Sequence, residues 1–219
     1  MNRLLAMVIV LTITGGLLLD RWGGIWGQPL VNVWAWGVFA WLWLKSLPGE
    51  RLALFACLVL ATAGEVVLAL VWGLYDYRLG NLPLFVPPGH VLLYALGLWC
   101  AARLPQRLLS GVLPLALLAA TALGLSGIDG LSVLLTALFV LAMRYGPAPR
   151  LYATMFVLAL LMELWGTALG NWAWRAEVPW LGWTTLNPPF AAGAFYCVLD
   201  WLVGLCVRRF GIAAGRQAG

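Results

Sequence analysis

Hydrophobic residues run along this chain in eight long blocks, separated by short polar clusters that carry most of the charge. The blocks cover about Leu4 to Leu19, Leu30 to Leu47, Leu52 to Tyr75, Pro88 to Leu104, Leu108 to Leu125, Gly127 to Met143, Leu151 to Leu169 and Phe190 to Val207. Each approaches the roughly 20 residues that a helix needs to cross the hydrocarbon core of a bilayer. A segment in lipid must satisfy its own backbone donors and acceptors, so blocks of this length predict helices. The sixth block has the shortest strictly apolar stretch, and the hairpin Ser126-Gly127-Ile128-Asp129-Gly130 divides it from the fifth. The pattern predicts an all-α, polytopic integral membrane protein of about eight transmembrane helices.

Composition agrees. With 63% hydrophobic residues, 10% charged and a mean hydropathy of +0.94, the chain departs far from soluble domains. The 14 Trp, many near block ends, suit the aromatic belts of membrane interfaces. The first block imitates a signal peptide, but Leu19-Asp20-Arg21-Trp22 follows it in place of a small-residue cleavage site, so it reads as a retained first span. Cys57, Cys100, Cys197 and Cys206 all lie inside apolar blocks without metal-ligand spacing and read as buried hydrophobes. No aqueous domain carries a basic stripe, which excludes nucleic acid as a partner.

The net charge of +5 sorts by side. Eight spans put ten Lys and Arg on one side (Arg3, Lys45, Arg51, Arg103, Arg107, Arg144, Arg150, Arg208, Arg209, Arg216) and Arg21, Arg78 and Arg175 on the other. Basic residues favour the cytoplasmic face, so both termini are expected in the cytoplasm, with the protein in a bacterial inner membrane. Lys45-Ser-Leu-Pro-Gly-Glu-Arg51 also aligns with Arg144-Tyr-Gly-Pro-Ala-Pro-Arg150 at a constant offset of 99. This predicts two parallel four-helix repeats, residues 1–107 and 108–219, with a functional cavity between them.

The same duplication sets out the candidate chemistry. Glu65 begins a run that passes through Tyr75-Asp76-Tyr77-Arg78 to Pro87-Pro88-Gly89-His90, and Glu163 begins a looser copy through Trp172-Ala173-Trp174-Arg175 to Asn187-Pro188-Pro189. Glu65 lies 14 residues beyond Arg51, and Glu163 lies 13 beyond Arg150. At 1.5 Å per residue both sit about 20 Å from the cytoplasmic edge. A carboxylate at that depth costs several kcal/mol unless it is paired, solvated or protonated, so it reads either as functional or as a protonated packing group. Asp200, inside the eighth block, is a third acid, with an ion pair or hydrogen bond to a neighbouring helix as its other reading. His90, the only histidine, opens the fourth span, where a neutral imidazole could accept a proton; an interfacial hydrogen bond is the alternative.

Tyr75, Asp76, Tyr77, Trp172 and Trp174 form aromatic turns that either anchor the interface or line a cavity mouth. In the second role their rings would bind an apolar chain or stabilise a cation. Asn171, Asn187, Thr184 and Thr185 add neutral donors on that side or cap turns. No nucleotide loop, nucleophile elbow or metal box is present, so no metal and no cofactor is expected.

The run Glu163-Leu-Trp-Gly-Thr-Ala-Leu-Gly-Asn-Trp-Ala-Trp174, with Pro179 beyond it, resembles the membrane carotenoid cyclase and hydratase group. There an intramembrane acid precedes a Gly-x-aromatic-x-aromatic turn and a proline. The resemblance implies proton-initiated chemistry on a polyisoprenoid double bond, with a carboxylate as acid and aromatic residues around the cation. The paired acidic residues that follow the proline in lycopene cyclases are replaced here by Asn187-Pro188-Pro189 and Pro87-Pro88-Gly89.

Three functions fit the sequence. One is a membrane enzyme that acts on a lipid or isoprenoid (a cyclase, hydratase or isomerase) through Glu65, Glu163, His90 and Asp200. The second is a proton-coupled transporter of a small solute. The third is a non-catalytic subunit, paired with further copies of itself or packed into a larger membrane complex.

Overall fold

The computed structural model describes residues 1–217. The chain folds into α1 (Arg3–Trp22), α2 (Gly24–Lys45), α3 (Pro48–Glu65, continued by a π-helical stretch Val66–Val71), β1 (Tyr75–Tyr77), α4 (Val86–Ala101), α5 (Gln106–Ser110), α6 (Val112–Leu125), α7 (Gly130–Tyr145), α8 (Pro149–Leu169), β2 (Trp172–Trp174) and α9 (Gly193–Gln217). Every predicted block carries a helix, α5 and α6 together filling the fifth. The second helix starts earlier than the apolar pattern implied, at Gly24, and carries Pro29 inside its first turns. Four helices, Arg3–Trp22, Pro48–Val71, Gln106–Leu125 and Pro149–Leu169, are long and apolar enough to cross a membrane.

The ends of these helices are written locally. Asn2 accepts from the Leu5 amide at 2.9 Å and caps α1; Glu50 accepts from the Leu47 amide at 2.8 Å at the head of α3. Pro48 and Pro149 stand in the first turns of α3 and α8, where a missing N–H costs nothing. Helix α8 stops at Gly170, whose φ of 73° is left-handed and turns the chain directly into β2.

The aromatic-x-aromatic segments, expected as turns, are instead two short strands that pair with each other. β1 and β2 run antiparallel, with Tyr75 opposite Trp174, Asp76 opposite Ala173 and Tyr77 opposite Trp172. Alternation along a strand sends side chains to opposite faces. Tyr75, Tyr77, Trp172 and Trp174 therefore point inward, while Asp76 and Ala173 are exposed. An all-α body thus carries one two-stranded ribbon, and the ribbon roofs its centre.

Under that roof α3 packs on α4 and α9, and α8 packs on α4 and α9. Two glycines allow close approaches around this centre. A side chain at Gly193 would run into the backbone of Phe156, so α9 begins in direct contact with α8; one at Gly166 would run into the Trp172 ring. The hairpins α1–α2 and α6–α7 pack on the outside of the four central helices. Large hydrophobic side chains stay exposed on most helices, Leu11, Ile25, Leu118 and Leu125 among them, as expected of a surface that meets lipid.

Polar clamps hold the roof. Asp20, buried at the end of α1, accepts from Arg78 Nη2 at 3.2 Å and from Asn171 Nδ2 at 2.6 Å, and so ties the segment after β1 to the one before β2. Asp129, buried between α6 and α7, accepts from Ser132 Oγ at 2.6 Å and from the Phe190 amide at 2.9 Å. Both acids lie deep enough to need such partners.

Candidate functional site

Beneath the ribbon, Glu65 and Glu163 are each held by three side chains. Glu65, the last residue of α3 before the π-helical stretch, accepts through Oε2 from the Tyr75 hydroxyl at 2.8 Å and the Tyr77 hydroxyl at 2.7 Å. Its Oε1 lies 3.3 Å from His90 Nε2 on α4. Glu163 on α8 accepts through Oε2 from the Trp172 and Trp174 indole N–H groups, at 2.8 Å and 3.0 Å, and through Oε1 from the Tyr196 hydroxyl on α9 at 3.3 Å. In each case two partners come from the strand that follows the acid and the third from the next long helix. The π-helical stretch begins immediately after Glu65, so the side chains beyond it no longer follow the α-helical phase. Such stretches frequently mark functional positions.

The two sets differ in what they can do with a proton. Indole N–H groups only donate, so Glu163 Oε2 is fixed as an acceptor, while its Oε1 meets a hydroxyl that can donate or accept. His90 is different. Its Nδ1 lies 3.0 Å from the Val86 carbonyl, which can only accept, so Nδ1 carries a proton and is spent. Nε2 is then the ring atom left free, and it is placed to exchange a proton with Glu65 Oε1. Tyr75 and Tyr77 complete the cradle: burial, with Glu65 alongside, pushes both phenols well above their ordinary range, and they remain donors.

Both glutamates border two cavities. One, of about 80 Å³, lies toward α1 and α2, with Thr12, Tyr77, Phe85 and Trp172 in its wall. The other, of about 350 Å³, lies toward α3 and α9, with Ala61, Gly64, Trp174 and Phe195 in its wall. Glu65, Tyr75, His90, Glu163 and Tyr196 line both and form the partition between them. Within it, the His90 ring stacks on Tyr196 with centroids 5.1 Å apart and planes 7° from parallel. Tyr75 and Trp174 meet at 4.7 Å, and Tyr77 meets Trp172 edge-on at 6.2 Å. The remaining lining is almost wholly aliphatic, so the acids face an apolar, aromatic-walled space.

The structure thus brings together Glu65, Glu163, His90, Tyr75, Tyr77, Trp172 and Trp174. It leaves three sequence candidates outside. Asp76 points away from the centre and makes a two-pronged ion pair with Arg175, at 3.1 Å for each bond. Asn187 accepts from the Trp174 amide at 2.8 Å and pins the strand from outside the cavities. Asp200 is buried, but neither carboxyl oxygen has a hydrogen-bond partner and it borders neither cavity. Tyr196 was missed by the sequence reading. Its only signal is a phenol inside an apolar block, four residues and so about one helical turn before Asp200. Among the described residues no group of His, Cys, Asp and Glu is disposed to hold a metal ion.

No protein-family model, curated protein or solved structure matches this chain.

Proposed function

We propose that the protein is a membrane-embedded enzyme that acts on a lipid or polyisoprenoid by acid/base chemistry at Glu65 and His90. The observation that carries this reading is the 3.3 Å approach of Glu65 Oε1 to His90 Nε2, buried beside an apolar cavity large enough for part of a hydrocarbon chain. The reacting step is proton transfer from the Glu65–His90 pair to one carbon of a double bond. The carbocation that forms on the neighbouring carbon faces the Tyr and Trp rings and the Glu163 carboxylate. Loss of a proton from an adjacent carbon to the pair then restores it and leaves an isomerised or cyclised product. Glu163, whose Oε2 is held by two indole donors, lies beside the same space and supplies negative potential there when ionised.

The reading includes an eight-span topology in a bacterial inner membrane, with both termini cytoplasmic, and a duplication of residues 1–107 and 108–219. Three observations support the duplication. The strand pairing is centred on Asp76 and Ala173, which hold equivalent places in the two motifs. Helix α3 packs on α9 while α8 packs on α4, the exchange expected across a two-fold axis. The outer hairpins each end in a buried aspartate, Asp20 and Asp129.

Purified protein in nanodiscs, incubated with membrane lipid extract and followed by mass spectrometry, is expected to convert one component. Glu65→Gln is expected to lower that conversion by about 10²–10⁴-fold, the usual contribution of a positioned acid or base. Full conversion by Glu65→Gln would remove the proposal. A proton-coupled carrier is the second reading, favoured by the place of the Glu65–His90 pair between two separate cavities. It predicts Glu65-dependent proton and solute flux in proteoliposomes, without any chemical product.

A further inference from the structure

The two cavities differ in how they meet the surroundings. The residues lining the smaller one are buried or only partly exposed. Three residues lining the larger one, Ala63, Val67 and Leu202, are themselves exposed on the outside of α3 and α9. The larger cavity therefore opens sideways, between two helices, partway along their length. Its rim is apolar: the neighbouring exposed side chains are Val59 and Val66 on α3 and Leu205 on α9. Among the residues of its wall the only ionisable groups are Glu65, Tyr75, His90, Glu163 and Tyr196, all at its inner end.

Small residues make the gap. Ala61, Ala63 and Gly64 come one turn before Glu65, and a side-chain carbon added at Gly64 would meet nothing within 4 Å. An opening with an apolar rim, apolar walls and a proton-exchanging floor fits one kind of occupant, a linear hydrocarbon chain that slides in from the bilayer.

We infer that the gap between α3 and α9 is a lateral portal through which the chain of a membrane lipid reaches Glu65 and His90, with Gly64 in its wall. This rests on the proposed enzymatic reading for the purpose of the portal, but not for its existence. The occupant is a long unsaturated chain, polyisoprenyl or acyl, that leaves its remainder in the surrounding lipid.

The test uses diazirine-bearing chains, one polyisoprenyl and one acyl, in nanodiscs that hold the full-length protein. After illumination, peptide mass spectrometry locates the label. With at least one probe, label is expected on residues 60–68 and 195–202, in the wild type and equally in Glu65→Gln, which leaves the portal open. Gly64→Phe should abolish that label. Ala63→Phe, on the exposed rim, provides a second plug if Gly64→Phe does not accumulate. Gly37→Phe, at another glycine with open space around it, should leave the label in place. The probe that labels decides between the two chain types. Label spread evenly over exposed helices with both probes, or label that survives both plugs, overturns the portal. Portal labelling alongside full conversion by Glu65→Gln keeps the portal and removes the chemistry proposed for Glu65.

Discussion

At the scale of single residues, the two glutamates resemble each other in depth and burial but not in company. Glu65 faces a ring that can exchange a proton, whereas Glu163 faces two indoles that cannot. This asymmetry predicts unequal variants. His90→Ala removes the partner placed to exchange a proton with Glu65 and is expected to reduce conversion by about 10²-fold or more. Asp200→Asn changes a group that borders neither cavity, so conversion should match the wild type; both are checked by the same mass-spectrometric assay. The acids were legible in the sequence because charge inside an apolar block is conspicuous. Which acid meets the cavity was not. Asp200 and Tyr196 are four residues apart on one helix, and only the packing of α9 decides that the phenol reaches Glu163 while the carboxyl lies a turn beyond.

At the scale of elements, the helices could be read from hydrophobic run length alone, since a long apolar run satisfies its backbone groups best within one helix. The strands could not. Three residues are too few for a periodic signal, and Tyr75–Tyr77 finds its partner 97 residues away, which no local pattern records. Their aromatic-x-aromatic spacing was visible, and the ribbon gives it a reason: period two aims both rings of each strand at one acid. The ring positions depend on Gly166, where even a methyl group would collide with Trp172. Gly166→Ala is expected to displace that indole from Glu163 and to cost about 1–3 kcal/mol of stability, the usual range for overpacking. A lowered melting temperature in nanodiscs, with reduced conversion, checks it. Gly64→Ala, where the added carbon meets open space, should leave the melting temperature unchanged.

At the scale of the whole molecule, charge and duplication make a joint prediction about sidedness. In a variant lacking the four native cysteines, a cysteine placed at Ser46 should react with a membrane-impermeant maleimide only from the cytoplasmic side. One at Asn81, beyond β1, should react only from the opposite side. Reversed labelling would invert the topology while leaving the site intact. Run lengths say nothing of which helices pack together. The reason α9 sits on α8 lies in the fit of Gly193 against the Phe156 backbone, which no run length records.

The ribbon also has a mechanical consequence. Backbone hydrogen bonds join residues 75–77 to residues 172–174 directly above the glutamates, and the Asp76–Arg175 ion pair lies across the same strands on the exposed side. The strands continue α3 and α8, so any breathing between those two helices pivots about the ribbon as a hinge does, with least displacement at the glutamates and most toward the opposite ends. A molecule built this way can loosen far from the ribbon while Glu65, Tyr75 and Tyr77 stay in register.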